Sequence, residues 1–323
     1  MKSNQQSAMK INLLLILLLF SCFNGFSQDV KNLAQKLGFD RNAKLLIIHA
    51  DDLGLSHATN SAVIEAFQKG GISSGSIMVP CPWFPEIAEF AKNNPNFDIG
   101  IHTTLTSEWD KYFFGGILPA SSIPGLVNKK GYFYPSVEAF AQHANATEVE
   151  KEVRAQIERA LAFGVKPTHL DNHMGTILAS PEYYQVLLKL GKEYRLPVLI
   201  PADMIAGISP QLLEMLSKDN IVVDHLFMIN QASPAEKWSE PYLKFIAEMK
   251  PGLNEIIVHL AFDNDETRAI MVNHPDFGSE WRQHDLDFVK SKELQKALKD
   301  NDIKLVTWRQ IGEVLYPASS EKK

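Results

Sequence analysis

Eight apolar runs of strand length, each separated from the next by a helix-length segment, constrain this chain more than any other feature. The runs are Lys44–Ala50, Ile72–Val79, Phe97–His102, Pro167–Asp171, Pro197–Ile200, Ile221–Phe227, Glu255–Phe262 and Ile303–Thr307. Continuous apolar runs, as opposed to alternating ones, suit strands covered on both faces, the condition of a parallel sheet. Between them, helical patterns occupy Ala58–Lys69, Pro85–Asn93, Thr147–Phe163, Pro181–Tyr194, Ser209–Ser217, Glu240–Met249 and Lys290–Asp300. Thr147, with Glu150 three residues later, reads as a capping box at the start of its helix. The alternation predicts the α/β class and a single distorted (β/α) barrel, ahead of a two-layer α+β arrangement. With 323 residues, two average domains would fit, yet one such barrel routinely takes about 250 residues. The barrel is assigned to residues 44–316, behind a lead-in over 28–43 and ahead of a flexible tail over 317–323. Lys111–Pro135, dense in aromatics, Gly and Pro, reads as a long loop insertion over the C-terminal rim.

The first 27 residues read as an address. Lys2 and Lys10 precede the apolar run Ile11–Phe20, and small or polar residues follow through Gly25, Ser27 and Gln28, the layout of a secretory signal peptide. The run falls well short of the roughly 20 residues that cross a bilayer. Leu19-Phe20-Ser21-Cys22 also resembles a lipobox, so the exported chain is expected to be periplasmic, secreted or lipid-anchored at Cys22. Cys81 is the only other cysteine, so no internal disulfide framework is expected. A formal net charge of −6 and no basic stripe argue against nucleic acid as a partner. Membrane contact is expected only through a lipid anchor, and a homodimer is left open.

Following each run to its C-terminal end gives Asp51 and Asp52 after the first, His102 after the third, His169, Asp171 and His173 after the fourth, and His259 late in the seventh. In parallel α/β folds those ends share one rim, where catalytic groups gather. A single carboxylate there is often a helix cap and a single histidine often a core residue, but two carboxylates and several imidazoles on one rim form a candidate site. Successive residues at a strand end point in different directions, so of Asp51 and Asp52 one can ligate a metal while the other faces its water. His102 and a histidine of the His169-Leu-Asp171-Asn-His173 stretch would supply imidazole ligands. Spacing does not rank His169 against His173.

The stretches His49-Ala-Asp51-Asp52-Leu-Gly54-Leu-Ser56 through Asn60, Gly100-Ile-His102-Thr-Thr-Leu105-Thr and His169-Leu-Asp171-Asn-His173 resemble the YdjC-like carbohydrate deacetylases, which include the chitooligosaccharide deacetylases. The resemblance runs in order from about Lys44 to Gly312, including Leu126–Tyr134 and Arg282–Trp308. It implies a distorted (β/α) barrel, a divalent ion (Mg²⁺ or Zn²⁺) and removal of an acetyl group from an N-acetylated sugar. It further implies Asp52, His102 and His173 as metal ligands, Asp51 as general base and His259 as general acid. Three positions depart from the family pattern: Met174-Gly175 where further histidines are common, His259-Leu260-Ala261 where His-Pro-Gly is usual, and His57 where a small residue or Pro is common.

Amide hydrolysis needs a polarised carbonyl and a deprotonated water, both of which a divalent ion can supply. Asp51 would accept the proton of the attacking water, and His259, kept cationic beside carboxylates, would protonate the leaving amine. Substrate contacts are assigned to His57, Asp171, Trp109, Tyr112 and Arg282, with Phe113, Phe114 and Tyr132–Tyr134 as further rings for sugar faces. The competing readings are an exported glycan- or solute-binding protein with a structural metal, and a metal hydrolase of another bond. A retaining glycosidase would need two carboxylates about 5 Å apart and no paired histidines. No Gly-x-Ser-x-Gly elbow occurs, and Cys81 lies between Pro80 and Pro82 with no base near it in sequence. No phosphate-cradling glycine loop occurs either.

Overall fold

The computed structural model describes residues 31–208, 210–217 and 220–317. The expected leader over residues 1–27, Cys22 included, and the tail beyond residue 317 lie outside the described residues. The described residues from Leu33 onward belong to one compact unit.

β1 (Lys44–Leu53) is the axis of the sheet, with every residue after Lys44 buried. Its continuous apolar run follows from neighbours on both edges and cover on both faces. β6 (Gly252–His259) pairs in parallel along one edge, from Lys44↔Gly252 to Asp51↔His259. The other edge is shared: β2 (Ser74–Ile77) takes its C-terminal half and β7 (Lys304–Leu305) its N-terminal half. The expected eighth strand therefore wedges beside β1 and takes no barrel position of its own. β3 (Ile99–Thr103) and β4 (Leu170–Asn172) extend the sheet beyond β2, and β5 (His225–Phe227) beyond β6, all in parallel.

Single bridges join the two ends of this curled sheet. Leu170 pairs with Val198, and Pro201 with Val223. The run Pro197–Ile200, expected as a strand, supplies only these bridges, because Pro197 and Pro201 have no N–H to give a ladder. The result is a distorted (β/α) barrel, irregular on the side of β4 and β5.

Alternation along β1 explains what fills the barrel. Leu45 and Ile47 join Val223, Leu253, Ile257, Val306 and Trp308 in an apolar cluster. Two and four residues further on, the same face carries His49 and Asp51, both buried. The interior thus turns from apolar to polar toward the C-terminal rim. The opposite face, Leu46, Ile48 and Ala50, packs into the main core under the helices. The lead-in contributes α1 (Leu33–Lys36), whose Ala34 is buried in the interior cluster with Leu33, Leu37 and Phe39 against it.

Helices cover the outside: α2 (His57–Gln68), α3 (Phe84–Asn93), α4 (Val137–His143), α5 (Ala146–Ala162), α6 (Pro181–Tyr194), α7 (Ala202–Ile208), α8 (Gln211–Glu214), α9 (Glu240–Glu248), α10 (Asp265–Ile270), α11 (Ser279–Val289), α12 (Lys292–Asp300) and α13 (Trp308–Leu315). α5 begins one residue before the expected Thr147, and its cap is Asn145, whose side chain accepts from Glu148 N at 3.0 Å. Asn145→Ala should therefore cost about 1 kcal/mol of stability, measured by urea unfolding, whereas Thr147→Ala should cost a few tenths at most.

The insertion lies over the C-terminal rim. Tyr112 Oη donates to Leu55 O at 2.6 Å, and Thr106 bridges Tyr134. Buried Glu152 of α5 accepts from Ile117 N and Leu118 N at 2.8 and 3.1 Å, tying the loop to the helix layer.

Candidate metal centre

Strand register assembles the site. Asp51 lies directly across from His259, and His102 directly across from Asp171. Between Ala50 and Leu53 the β1–β2 register slips by one residue, and Asp52 there adopts φ +67°. A left-handed aspartate at a bulge is uncommon, and it turns the second carboxylate out of strict alternation, so both aspartates serve one site.

Asp52 Oδ1, His102 Nε2 and His173 Nδ1 face one another. The separations are 3.5 Å from Asp52 to His102, 3.3 Å from Asp52 to His173 and 3.3 Å between the two ring nitrogens. Ligand atoms at about 2.05 Å from a tetrahedral ion stand about 3.3 Å apart, so the triangle has the size of a metal face. Asp52 Oδ1 is buried without a hydrogen-bond donor of good geometry, while Arg282 Nη2 holds the other oxygen at 2.7 Å. The far ring nitrogens are engaged as well: His102 Nδ1 meets Asp171 Oδ1 at 2.8 Å, and His173 Nε2 meets Glu108 at 3.0 Å. A neutral imidazole whose N–H is taken by a carboxylate presents its lone pair on the other nitrogen. These residues fit a divalent cation.

Among the described residues, two other groups of donors lie within reach of one another, His49–His169–Asp171 and Asp51–His102–Asp171. In the second, His102 Nδ1 is already taken by Asp171 and its Nε2 belongs to the triangle above; in the first, both nitrogens of His49 are engaged. His49 Nε2 lies 3.0 Å from Asp171 and 3.2 Å from Asp51, and its Nδ1 lies 3.1 Å from Ser74 Oγ. Side-chain exposure rises outward from Asp52 at 2% to Asp51 at 10%, His259 at 12% and Glu108 at 15%, which marks the face open to a substrate.

Sequence spacing left His169 and His173 unranked; depth separates them. His169 is fully buried one layer below, stacked on Trp308 with centroids 5.3 Å apart, and a Cβ at Gly100 would stand 2.4 Å from its ring. Glycine is therefore required beside it.

Charges follow from the packing. Burial alone would raise Asp52, but Arg282 and then His173 hold it well below the carboxylate range. Burial opposes a charge on His173, yet Glu108 and Asp52 lift it to about 10, so a cation held at Nδ1 would take the place of that ring proton. His102 is raised in the same way, chiefly by Asp171 and Asp51. His259 goes the other way: burial pushes it down to about 4 against the pull of Asp52, with Arg282 adding to the push. The expectation of a cationic His259 is thus corrected to a neutral ring, chiefly because burial penalises the charged form.

Several expected substrate contacts serve the scaffold. Asp171 is buried, with its oxygens at His102 Nδ1 and at Ser76 Oγ, 2.7 Å. Arg282 is buried against Asp52, and its Nε donates to Phe277 O at 2.7 Å. Trp109 is buried with the Arg282 guanidinium 5.6 Å from its ring centroid, and the Tyr112 hydroxyl is committed to Leu55. His57 is exposed and paired with Glu86 at 2.7 Å, touching none of the groups above. The rings that remain accessible on the insertion are Phe113 and Tyr132, stacked 5.4 Å apart.

Over residues 45–300 the chain matches the family described as YdjC-like protein. The chain belongs to the YdjC-like family. A Thermus thermophilus protein named carbohydrate deacetylase is 34% identical over 289 residues, covering 88% of this chain and 100% of that protein. One of the same name from Brevibacillus brevis is 28% identical over 271 residues, covering 83% and 99%. A crystal structure of an Enterococcus faecalis protein named for cellobiose-phosphate cleavage superposes with a TM-score of 0.71 at 27% identity, covering 83% of this chain and 99% of that one.

The groups that no sequence pattern marks are Glu108, Ser74 and Ser76, together with the role of His49. Ser74 and Ser76 carry a faint signal, small polar residues at a period of two in a buried strand. Glu108 sits in irregular loop, where no period exists to mark it.

Proposed function

We propose that this chain is a metal-dependent hydrolase that removes N-acetyl groups from an amino sugar or oligosaccharide, leaving a free amine and acetate. One observation carries the reading: a triangle of donors 3.3–3.5 Å on edge, with the unligated Asp51 carboxylate beside it and His259 across from Asp51. The relatives named carbohydrate deacetylase support removal of an acetyl group from a carbohydrate.

Asp52, His102 and His173 would hold the ion. When bound, a divalent cation supplies polarisation of the acetyl carbonyl and acidification of water. Asp51 Oδ2 is 3.8 Å from His102 Nε2 and 3.9 Å from His259 Nε2, so it faces the same space as the ligands. There Asp51 takes the proton of the attacking water. His259, neutral at rest, carries that proton to the leaving nitrogen as the C–N bond breaks. Asp285 holds the His259 backbone N–H at 3.0 Å and accepts from Trp238 and Tyr242 at 2.8 and 2.7 Å, which fixes the β6 end. Export by the leader over residues 1–27 belongs to the same proposal, since it would place the enzyme among extracytoplasmic glycans.

The test is acetate release from N-acetylglucosamine oligomers of increasing length, with Mg²⁺ or Zn²⁺ added to chelator-stripped protein. Release that requires one of the ions is expected; release that stripping leaves unchanged would remove the metal from the reaction. A separate expectation concerns Asp171. Asp171→Asn weakens the hold on His102, so cation affinity by calorimetric titration should fall about 10–100-fold.

A further inference from the structure

We propose that Glu108 is a positioning residue for the metal centre, holding the His173 ring by Nε2 so that Nδ1 faces the cation. The proposal rests on the reading of Asp52, His102 and His173 as ligands.

The two imidazoles of that set reach the site by different routes. His102 is in mid-strand, and the carboxylate behind it, Asp171, is its register partner on β4. The sheet alone fixes that pair. His173 stands just past the end of β4, at the start of an irregular turn whose next two residues, Met174 and Gly175, have φ of +54° and +67°. No ladder orients its ring. Glu108 does so instead, with Oε2 and Oε1 at 3.0 and 3.2 Å from His173 Nε2.

Glu108 is itself held in place by its neighbours. Ser107 is buried, its N–H donates to Tyr134 O at 2.9 Å, and its Oγ accepts from Phe114 N at 3.2 Å. Trp109, on the other side, is buried with the guanidinium of Arg282 near its ring. The loop after β3 therefore buttresses two ligands at once, His173 through Glu108 and Asp52 through Trp109 and Arg282.

The chemistry makes this consequential. A neutral imidazole carries one N–H, and the nitrogen without it is the one able to ligate. With Glu108 accepting from Nε2–H, the Nδ1 lone pair points at the ion. Without that acceptor, the other tautomer competes, and its proton would point into the site. Carboxylates behind ligand histidines typically account for 10–100-fold in metal affinity.

The experiment measures Zn²⁺ affinity by competition with a chromogenic chelator, for the mature chain and for Glu108→Ala and Glu108→Gln. Ala should weaken binding about 10–100-fold. Gln keeps an oxygen that accepts from Nε2–H, so it should stay within about 3-fold of the parent. In parallel, ¹⁵N shifts of the His173 ring in the zinc-loaded parent should show Nε2 protonated and Nδ1 bound. Alanine binding as tightly as the parent, or a metal on Nε2, overturns the role of Glu108 alone. Failure of the parent chain to take up zinc overturns the ligand reading and the proposal with it.

Discussion

Asp51→Asn should bind the divalent cation within about threefold of the unaltered chain and release acetate at least about 10²-fold more slowly, since a general base contributes 10²–10⁴-fold. Asparagine keeps the shape and volume of the side chain and can still accept hydrogen bonds, but it cannot take a proton at neutral pH. Asp51 lies outside the donor triangle: its Oδ2 stands 3.8 Å from His102 Nε2, and its Oδ1 stands 3.2 Å from His49 Nε2. The loss should therefore appear in kcat with little change in cation binding. Asp52→Asn is the contrast, because it removes a proposed ligand and should lose the ion first. Calorimetric titration of the cation and an acetate assay on N-acetylglucosamine oligomers separate the two. An Asp51→Asn protein that no longer binds the ion would make Asp51 a ligand, and one that keeps acetate release within tenfold of the parent would end its assignment as base.

What the sequence made legible, and what it hid, divides along physical lines. β1, β3 and β6 stand out because burial on both faces demands an unbroken apolar run, and any polar residue within it is an anomaly. That is why Asp51, Asp52, His102 and His259 were visible. α11 was not, because its inward face carries Arg282 and Asp285 among Trp281, Leu286 and Val289, all buried. A charged pair turned inward breaks the apolar period on which a helix is recognised. The neutral state of His259 was hidden for a related reason: it follows chiefly from burial in the closed barrel, with Arg282 adding to it from a helix the pattern did not show. His169 and His173 share a face in sequence, but which layer of a barrel each enters depends on closure through Val198 and Val223, a long-range fact. The missing strand at Pro197–Ile200 is a local one, since prolines at 197 and 201 limit it to single bridges.

Arg282→Met should cost the chelator-stripped protein about 3–5 kcal/mol at pH 7, the range for removing one partner of a buried ion pair. Methionine fills much of the volume of the arginine stem, so the loss reports charge more than packing. Arg282 Nη2 is 2.7 Å from Asp52 Oδ2 and both side chains are almost wholly buried. In the unaltered chain Arg282 and His173 overcome burial and hold Asp52 well below its ordinary pKa. A carboxylate depressed on folding adds stability above its unfolded value, about 3.9, and loses it as pH falls through the folded value. With Arg282 gone, burial gains weight and Asp52 moves upward, so the deficit should be greatest at neutral pH and narrow as the pH falls toward 4. Saturating Zn²⁺ should narrow it as well, because an ion held by Asp52, His102 and His173 supplies the missing positive charge and stabilises only the folded chain. Urea unfolding at pH 7 and pH 4.5, with and without the ion, tests each part. A deficit under about 1 kcal/mol at pH 7 would show that Asp52 does not depend on Arg282 as its counter-charge.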